Sequence, residues 1–501
     1  MTIRIIAFAT AIGTLQGTWA SGADHAQFGQ AWNRNMVSGE TGLPAGFDPG
    51  SGENVKWTVE LGSETHSTPV VADGRVLVGT NNANPRDPKH VGDRGVLMCF
   101  DEADGTFLWQ SVVPKRTEDR FFDWPLSGMS STATVHDGQV FIVNNRGDVM
   151  CLDLDGMADG NDGPFRDEGR YMVPDGEAPL EAGPTDADIV WLCNLTDEAG
   201  IWSHDAAHSS ILVDGDFLYL NTGTGVDNTH KVIRRPDAPS LVVLDRKTGR
   251  FLAREREGIG PDIFHCTWSA PALAEVGGRR LVFLCAGNGV IYAFAPLEEP
   301  PPEGEVATLE RVWSTDVDPG APKSEIHRFH GNRLRGPTNF FGMPVVVGET
   351  LYAAGGGDLW WGKNEAWLFA LDAGTGSERW RYALNRHVMA TPAVADGLAF
   401  ITDTGRTVHC VDARTGDGLW THDVEGEVWG SALVADGKVY VVTRKGHALT
   451  FAATREKTIL AEHDFRDAAS ATPVAAGGTL YLATMRRLFA LEQAPAERDE
   501  P

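Results

Sequence analysis

Histidines, tryptophans and acidic residues recur in this chain just ahead of short apolar segments, and that placement is where chemistry is sought first. WSHDAAH sets His204 and His208 four residues apart, FHCTW sets His265 beside Cys266, and His66 and His387 precede two further apolar runs. Imidazoles serve as metal ligands or as general acids and bases near neutral pH, so His204, His208, His265 and His387 are the candidate catalytic groups. On a helix the four-residue spacing would align two imidazoles on one face, as in zinc sites, but at the start of a strand it imposes no such geometry. The residues therefore leave the metal unspecified.

Flat side chains accompany the histidines. Trp124, Trp268 and Trp429, together with His66, Asn339 and Glu427, are candidate ligand-binding residues, and Trp202, Trp360 and Trp361 stand in similar surroundings. An indole face stacks on a sugar or a planar cofactor, and a few polar groups in an apolar pocket orient what it holds. Arg335, near Arg333 in GNRLRGP, has the fork geometry to clamp a carboxylate. The plainer readings are packing for the indoles and an acidic ion-pair partner for the arginines. The run DLDGMADGNDG has the flavour of a calcium loop, but Met157 breaks its alternation. There is no phosphate-binding Gly-rich loop with its Lys, no HExxH and no G-x-S-x-G elbow.

The elements that must position these groups are repeats. Asp101 to Trp109 reads DEADGTFLW, Asp372 to Trp380 reads DAGTGSERW and Asp412 to Trp420 reads DARTGDGLW; DRKTGRFLA from Asp245 is a copy with Ala253 in place of the indole. Each is an apolar strand, a turn and a second strand with a large ring to pack. Upstream of each lies an alternating hairpin such as HSTPVVADGRVLVGT, and inner-strand segments start at Ser67, Ser131, Ser209, Ser269, Gly342, Ala390, Gly430 and Ala471. Four strands in each of eight units predict an all-β, eight-bladed β-propeller of four-stranded antiparallel blades. The last unit ends at LFALE without a Trp strand while NVKW stands ahead of the first, so the N-terminal strand is expected to complete the last blade.

The Asp, Thr-Gly and Trp pattern resembles the tryptophan-docking repeat of PQQ-like propellers over nearly the whole chain. That family includes quinoprotein alcohol dehydrogenases, the propeller lipoprotein of outer-membrane barrel assembly, and exported bacterial proteins without known activity. Stretches such as DWPLSG at Asp123 to Gly128 and NTGTGVDNTH at Asn221 to His230 resemble the last branch most. The dehydrogenases carry an adjacent Cys-Cys disulfide beside the cofactor, and no two of the six cysteines here are adjacent. The resemblance therefore disfavours PQQ with Ca²⁺ and leaves the cofactor unknown.

The 501 residues carry a formal charge of -26, which argues against nucleic acid, whose binding depends on Lys and Arg neutralising phosphates. Arg4, the apolar run from Ile5 to Trp19 and the small residues that follow read as a signal peptide over residues 1–23, so the mature chain is expected in the periplasm or outside the cell. No later segment is apolar enough to span a membrane. An irregular segment 24–53, a propeller over 54–493 with an insertion at 155–189, and a disordered tail 494–501 complete the predicted organisation. Cys99, Cys151 and Cys410 each precede the Asp of a repeat and read as small buried hydrophobes.

These features predict an exported propeller that binds a ligand at a His- and Trp-lined channel face, with quinoprotein-like oxidation as one outcome. The alternatives are a non-catalytic protein-binding scaffold of the cell envelope and a carbohydrate-active enzyme using His acid/base chemistry. The partner is accordingly a small molecule, a carbohydrate or an envelope protein, and turnover is left open.

Overall fold

Alternating apolar residues around Asp-Gly close the inner hairpins through turns whose two central residues both have positive φ, as at Asp73 and Gly74 (49° and 74°) and Asp436 and Gly437 (51° and 66°). Such turns match the twist of paired strands and require residues that tolerate the left-handed region. The structure is a computed structural model that describes residues 24–205 and 209–494. The segment 1–23, His208 and the tail beyond residue 494 lie outside the described residues. Six of the eight inner hairpins turn this way, the other two having positive φ only at Gly215 and Gly348, and the eight hairpins, each extended by two strands, form the eight antiparallel sheets of an all-β propeller. Their inner strands begin at Val70, Thr134, Leu212, Ala272, Val345, Ala393, Leu433 and Val474, each three residues after the start read from the sequence. The last blade is completed by Val55–Glu60, which pairs antiparallel with Arg487–Leu491. The third blade carries an added parallel strand, Ala307–Thr308.

The repeat's tryptophan joins six of the eight blades to the next. Trp57, Trp109, Trp191, Trp313, Trp380 and Trp420 each donate their indole N–H to a backbone carbonyl of the following blade. For five of them the ring lies on the turn glycine there: a Cβ on Gly105, Gly156, Gly249, Gly376 or Gly416 would come within 3.0 Å of it. Cys99, Cys151 and Cys410 sit directly across the strand pair from Trp109, Trp191 and Trp420, where a small side chain leaves room for the indole. All six cysteines are buried and unbridged. Blades three and seven have Ala253 and Ala461 at the tryptophan position. After blade seven, Leu43 and Phe47 of the N-terminal segment fill the gap.

That segment, irregular in conformation, is fully engaged. His25 exchanges backbone hydrogen bonds with Val71, and Ala26, Trp32 and Asn33 accept from Val135, Leu273 and Val346. The Trp32 indole donates to Val213, the Asn35 amide bonds Val394 in both directions, Met36 and Ser38 bond Val434, and the Ser38 hydroxyl donates to Ala475. These partners are the second residue of each of the eight inner strands. The strap thus touches every blade and floors the channel. At its centre Arg34 is fully buried, and its guanidinium donates to the carbonyls of Pro271, Phe28 and Ser210 and to the Ser210 hydroxyl. Burial pulls this guanidinium down to about 9, so it stays charged at neutral pH.

Above the strap, the residues two places before each inner strand form a ring. Thr68, Thr132, Thr391, Ser431 and Thr472 link blade to blade through hydroxyls that accept from the neighbouring backbone N–H at 2.9–3.2 Å. This ring is the lower wall of the cavity described next.

Candidate functional site

A cavity of about 710 Å³ opens at the channel mouth above the hydroxyl ring and Phe28. That is the size of an ordinary small-molecule site. Its walls come from the loops that lead into the inner strands and from one long loop of the fifth blade, and they carry Phe121, Trp124, Trp268, Phe341, Trp360, Trp361 and Trp429. The Trp268 and Trp360 rings stand nearly perpendicular at 6.0 Å, as do Trp360 and Trp429 at 5.9 Å, so the indoles brace one another. Polar groups on the same wall are Glu64, His66, Asp205, His230, His265 and Arg444.

The histidines converge because of one glycine. Segment 222–226 lies between 202–204 and 265–267: His204 N–H donates to Gly223, Gly225 N–H to Trp202, Val226 N–H to His265 and Thr267 N–H to Thr224. A Cβ on Gly225 would lie 2.5 Å from the His265 carbonyl oxygen and 2.7 Å from the His204 Cβ. Without it, the rings of His204 and His265, from loops of different blades, stand 4.7 Å apart. His230 returns over the pair through a turn in which Asp227 accepts from Thr229, bringing its ring 4.8 Å from His204 and 5.5 Å from His265.

Each ring is oriented by an oxygen. His204 Nδ1 bonds the Val226 carbonyl at 2.8 Å, His265 Nδ1 bonds Asp358 Oδ2 at 2.7 Å, and His230 bonds the Asn228 carbonyl. A carbonyl only accepts, so His204 carries its proton on Nδ1. Burial, with His265 and His230 alongside, holds His204 well below the usual histidine range, which leaves a lone pair on Nε2. Burial likewise lowers His230, to about 4. Asp358 is fully buried; its burial opposes ionisation, but His265 and the Trp360 and Trp361 N–H groups outweigh that and hold its carboxyl below the usual range. The Nε2 atoms of His204 and His265 are buried without a hydrogen-bond partner. One ligand atom from each of His204, His230 and His265 lies within 4.8 Å of the other two. Asp205 Oδ2 is 3.6 Å from His204 Nε2, and desolvation pushes its carboxyl up to about 6.

Of the residues predicted from sequence, His66, Trp124, His265, Trp268 and Trp429 line the cavity and His204 stands directly behind it. His387 is buried but outside the lining, with Nε2 unpartnered. Asn339 is buried in a backbone bridge to Gly356. Glu427 and Arg335 are exposed and outside the lining, whereas the neighbouring Arg333 donates to the carbonyls of Leu359, Trp360 and Gly362 and so holds the tryptophan loop. His208 lies outside the described residues. Sequence reasoning missed His230, Asp205 and Asp358. His230 and Asp358 were in view within NTGTGVDNTH and GGGD, but nothing local ties them to His265, which is 93 residues from Asp358.

The donor set suits some groups and not others. PQQ is a tricarboxylate, and among the described residues the lining offers it one full cation, Arg444, against the carboxylates of Glu64 and Asp205. Calcium takes six to eight oxygens, whereas the clustered donors here are imidazole nitrogens. The cavity does not fit PQQ with Ca²⁺. The acidic trio Asp153, Asp155 and Asp159 at the start of the insertion is largely exposed, with Asp155 paired to Arg75.

The chain resembles known propellers in sequence and in fold. The family described as outer membrane protein assembly factor BamB matches residues 13–161, 305–406 and 364–494. The crystal structure of BamB from Moraxella catarrhalis is similar in fold, with 13% identity, 89% of this chain and 98% of that chain covered, and a TM-score of 0.50. That of the computationally designed Ika8 protein covers 87% of this chain and 99% of its own, at 10% identity and a TM-score of 0.48. No curated protein matches the sequence. With eight blades, six of them linked to the next by the repeat's tryptophan, and matches over most of its length, this chain belongs to the family of the outer membrane protein assembly factor BamB.

Proposed function

We propose that this propeller receives a small molecule in the mouth of its channel, and that it does so outside the cytoplasm. The carrying observation is that one cavity joins braced indole walls to a histidine cluster containing two buried, unpartnered ring nitrogens. A buried nitrogen without a partner sacrifices its hydrogen bond to water, so a ligand that restores that bond is favoured there. The ligand that suits this site has a flat or ring-shaped apolar body and one oxygen or nitrogen donor. Export is supported by Arg4 and the apolar run that follows it.

Titrating intrinsic tryptophan fluorescence with p-nitrophenyl glycosides and with aromatic carboxylates tests this reading. Saturable quenching is expected for at least one class, weakened about tenfold, some 1.4 kcal/mol, in Trp268→Ala. Absence of saturation across both classes would remove the proposal. Family membership favours a second reading, a protein-binding scaffold of the envelope. That reading expects partner affinity to be unchanged by Trp268→Ala and His265→Ala.

A further inference from the structure

The geometry points to a metal centre: we propose that His204, His230 and His265 bind one divalent transition-metal ion of the zinc class, with a remaining coordination position open to the tryptophan-lined cavity. Three imidazoles from three separate loops converge, and their ligand atoms lie within 4.8 Å of one another. Ligand atoms around one tetrahedral zinc are about 3.4 Å apart, so the set, whose atoms lie within 4.8 Å of one another, must close by up to about 1.4 Å. The half-exposed His230, on a turn rather than a strand, is the least confined of the three.

Two features separate this cluster from aromatic packing. The His204 and His265 rings are 0% and 1% exposed, yet their Nε2 atoms meet no hydrogen-bond partner. In each, the opposite nitrogen is held by an oxygen of the protein, and His230 is anchored likewise to Asn228. An outer oxygen that fixes the tautomer and ring orientation is the arrangement found behind metal-bound histidines. Asp358, itself fixed by two backbone N–H groups, gives His265 the carboxylate form of that support.

The donors also select the ion. Imidazole nitrogens suit zinc, copper, iron and nickel and serve magnesium or calcium poorly. Three protein ligands leave a position for water or an incoming ligand. Asp205 Oδ2, 3.6 Å from His204 Nε2, stands beside that position, where it could accept a hydrogen bond from a metal-bound water. His265 and Asp205 both face the cavity, so a ligand reaches the metal from among the indoles. The inference rests on the ligand-binding reading only for what occupies the open position.

The full chain, stripped with EDTA and dialysed, is titrated with Co²⁺ and followed by visible absorption. Ligand-field bands saturating at one ion per chain, displaced by Zn²⁺ and shifted by azide, are expected. His265→Ala abolishes them, and Asp358→Asn, which keeps every ligand, weakens binding by roughly 10- to 100-fold. His230→Gln, at a half-exposed position, controls for misfolding: it loses the bands while circular dichroism and the melting temperature stay as in the wild type. Absence of saturating bands in the wild type, or bands unaltered in His230→Gln, overturns the metal centre, and indifference to azide overturns the open position. Fluorescence quenching that persists in a chain binding no Co²⁺ overturns the metal and leaves the cavity reading standing. Cobalt bands without any quenching do the reverse.

Discussion

At the residue scale, the function of the site turns on Gly225 as much as on the groups that carry chemistry. Its missing Cβ is what lets the His265 backbone and the His204 side chain pass at contact distance. Gly225→Ala should push these segments apart and cost about 1–3 kcal/mol by overpacking. Urea unfolding measures that loss, and the expected functional result is loss of cobalt bands in a protein that still folds. A variant that keeps both the bands and wild-type stability would show that the rings do not depend on this approach. Histidine was visible in the sequence as a residue type gathered near inner-strand starts, and His204 and His265 were picked for that reason. Their partnership was not visible, since imidazoles 61 residues apart meet only through a third segment whose glycine is silent in any periodic pattern.

Among the elements, the inter-blade tryptophans carry the ring's cohesion. Trp109 is 1% exposed, lies against Gly156 and donates to the Leu154 carbonyl at 2.8 Å. Trp109→Ala should lower stability by about 3–5 kcal/mol, as large aromatic truncations in cores do. Trp420→Ala, at a partly exposed indole, should cost less, and paired urea midpoints test the ranking. The insertion 155–189 is fastened differently. Asp186 is 1% exposed and accepts from Lys89 Nζ at 2.5 Å and Gly183 N–H at 2.8 Å. Burial works against its charge, but His90, Lys89 and Gly183 together hold its carboxyl below the usual range. A depressed carboxylate stabilises above the unfolded value of about 3.9 and loses that contribution as pH falls through its lower folded value. Pepsin digestion should therefore open the insertion only below about pH 4. In Asp186→Asn, cleavage there by a neutral protease should already occur at pH 7, and an unchanged cutting pattern would argue that this carboxylate fastens nothing.

For the whole molecule, closure and flooring are both the work of residues 24–60. Val55–Glu60 supplies the outer strand of the last blade, and Trp57 docks on the first. The strap ahead of it bonds every inner strand and buries Arg34 at the axis. Removing residues 24–60 should open the ring and replace a single calorimetric transition by a broad or absent one. A truncated chain that melts cooperatively at the wild-type temperature would show that seven complete blades and one partial blade suffice. The sequence announced the closing strand, because an unpartnered Trp strand at one end answers a missing one at the other. The strap was read only as irregular, because its hydrogen bonds follow the eightfold geometry of the channel and leave no period in its own residues.

The blades, their number and their closure are legible in the chain, since hairpin alternation, tight Gly-containing turns and the docking tryptophan are local features repeated along it. The site is not. Its histidines, its orienting Asp358 and its tryptophan walls lie on loops of unequal length that repeat nothing, and they meet because eight blades turn those loops toward one axis. The physical reason is range: strands and turns are set by neighbours within a few residues, whereas a cluster joining residues 204, 230, 265 and 358 exists only once the ring has closed.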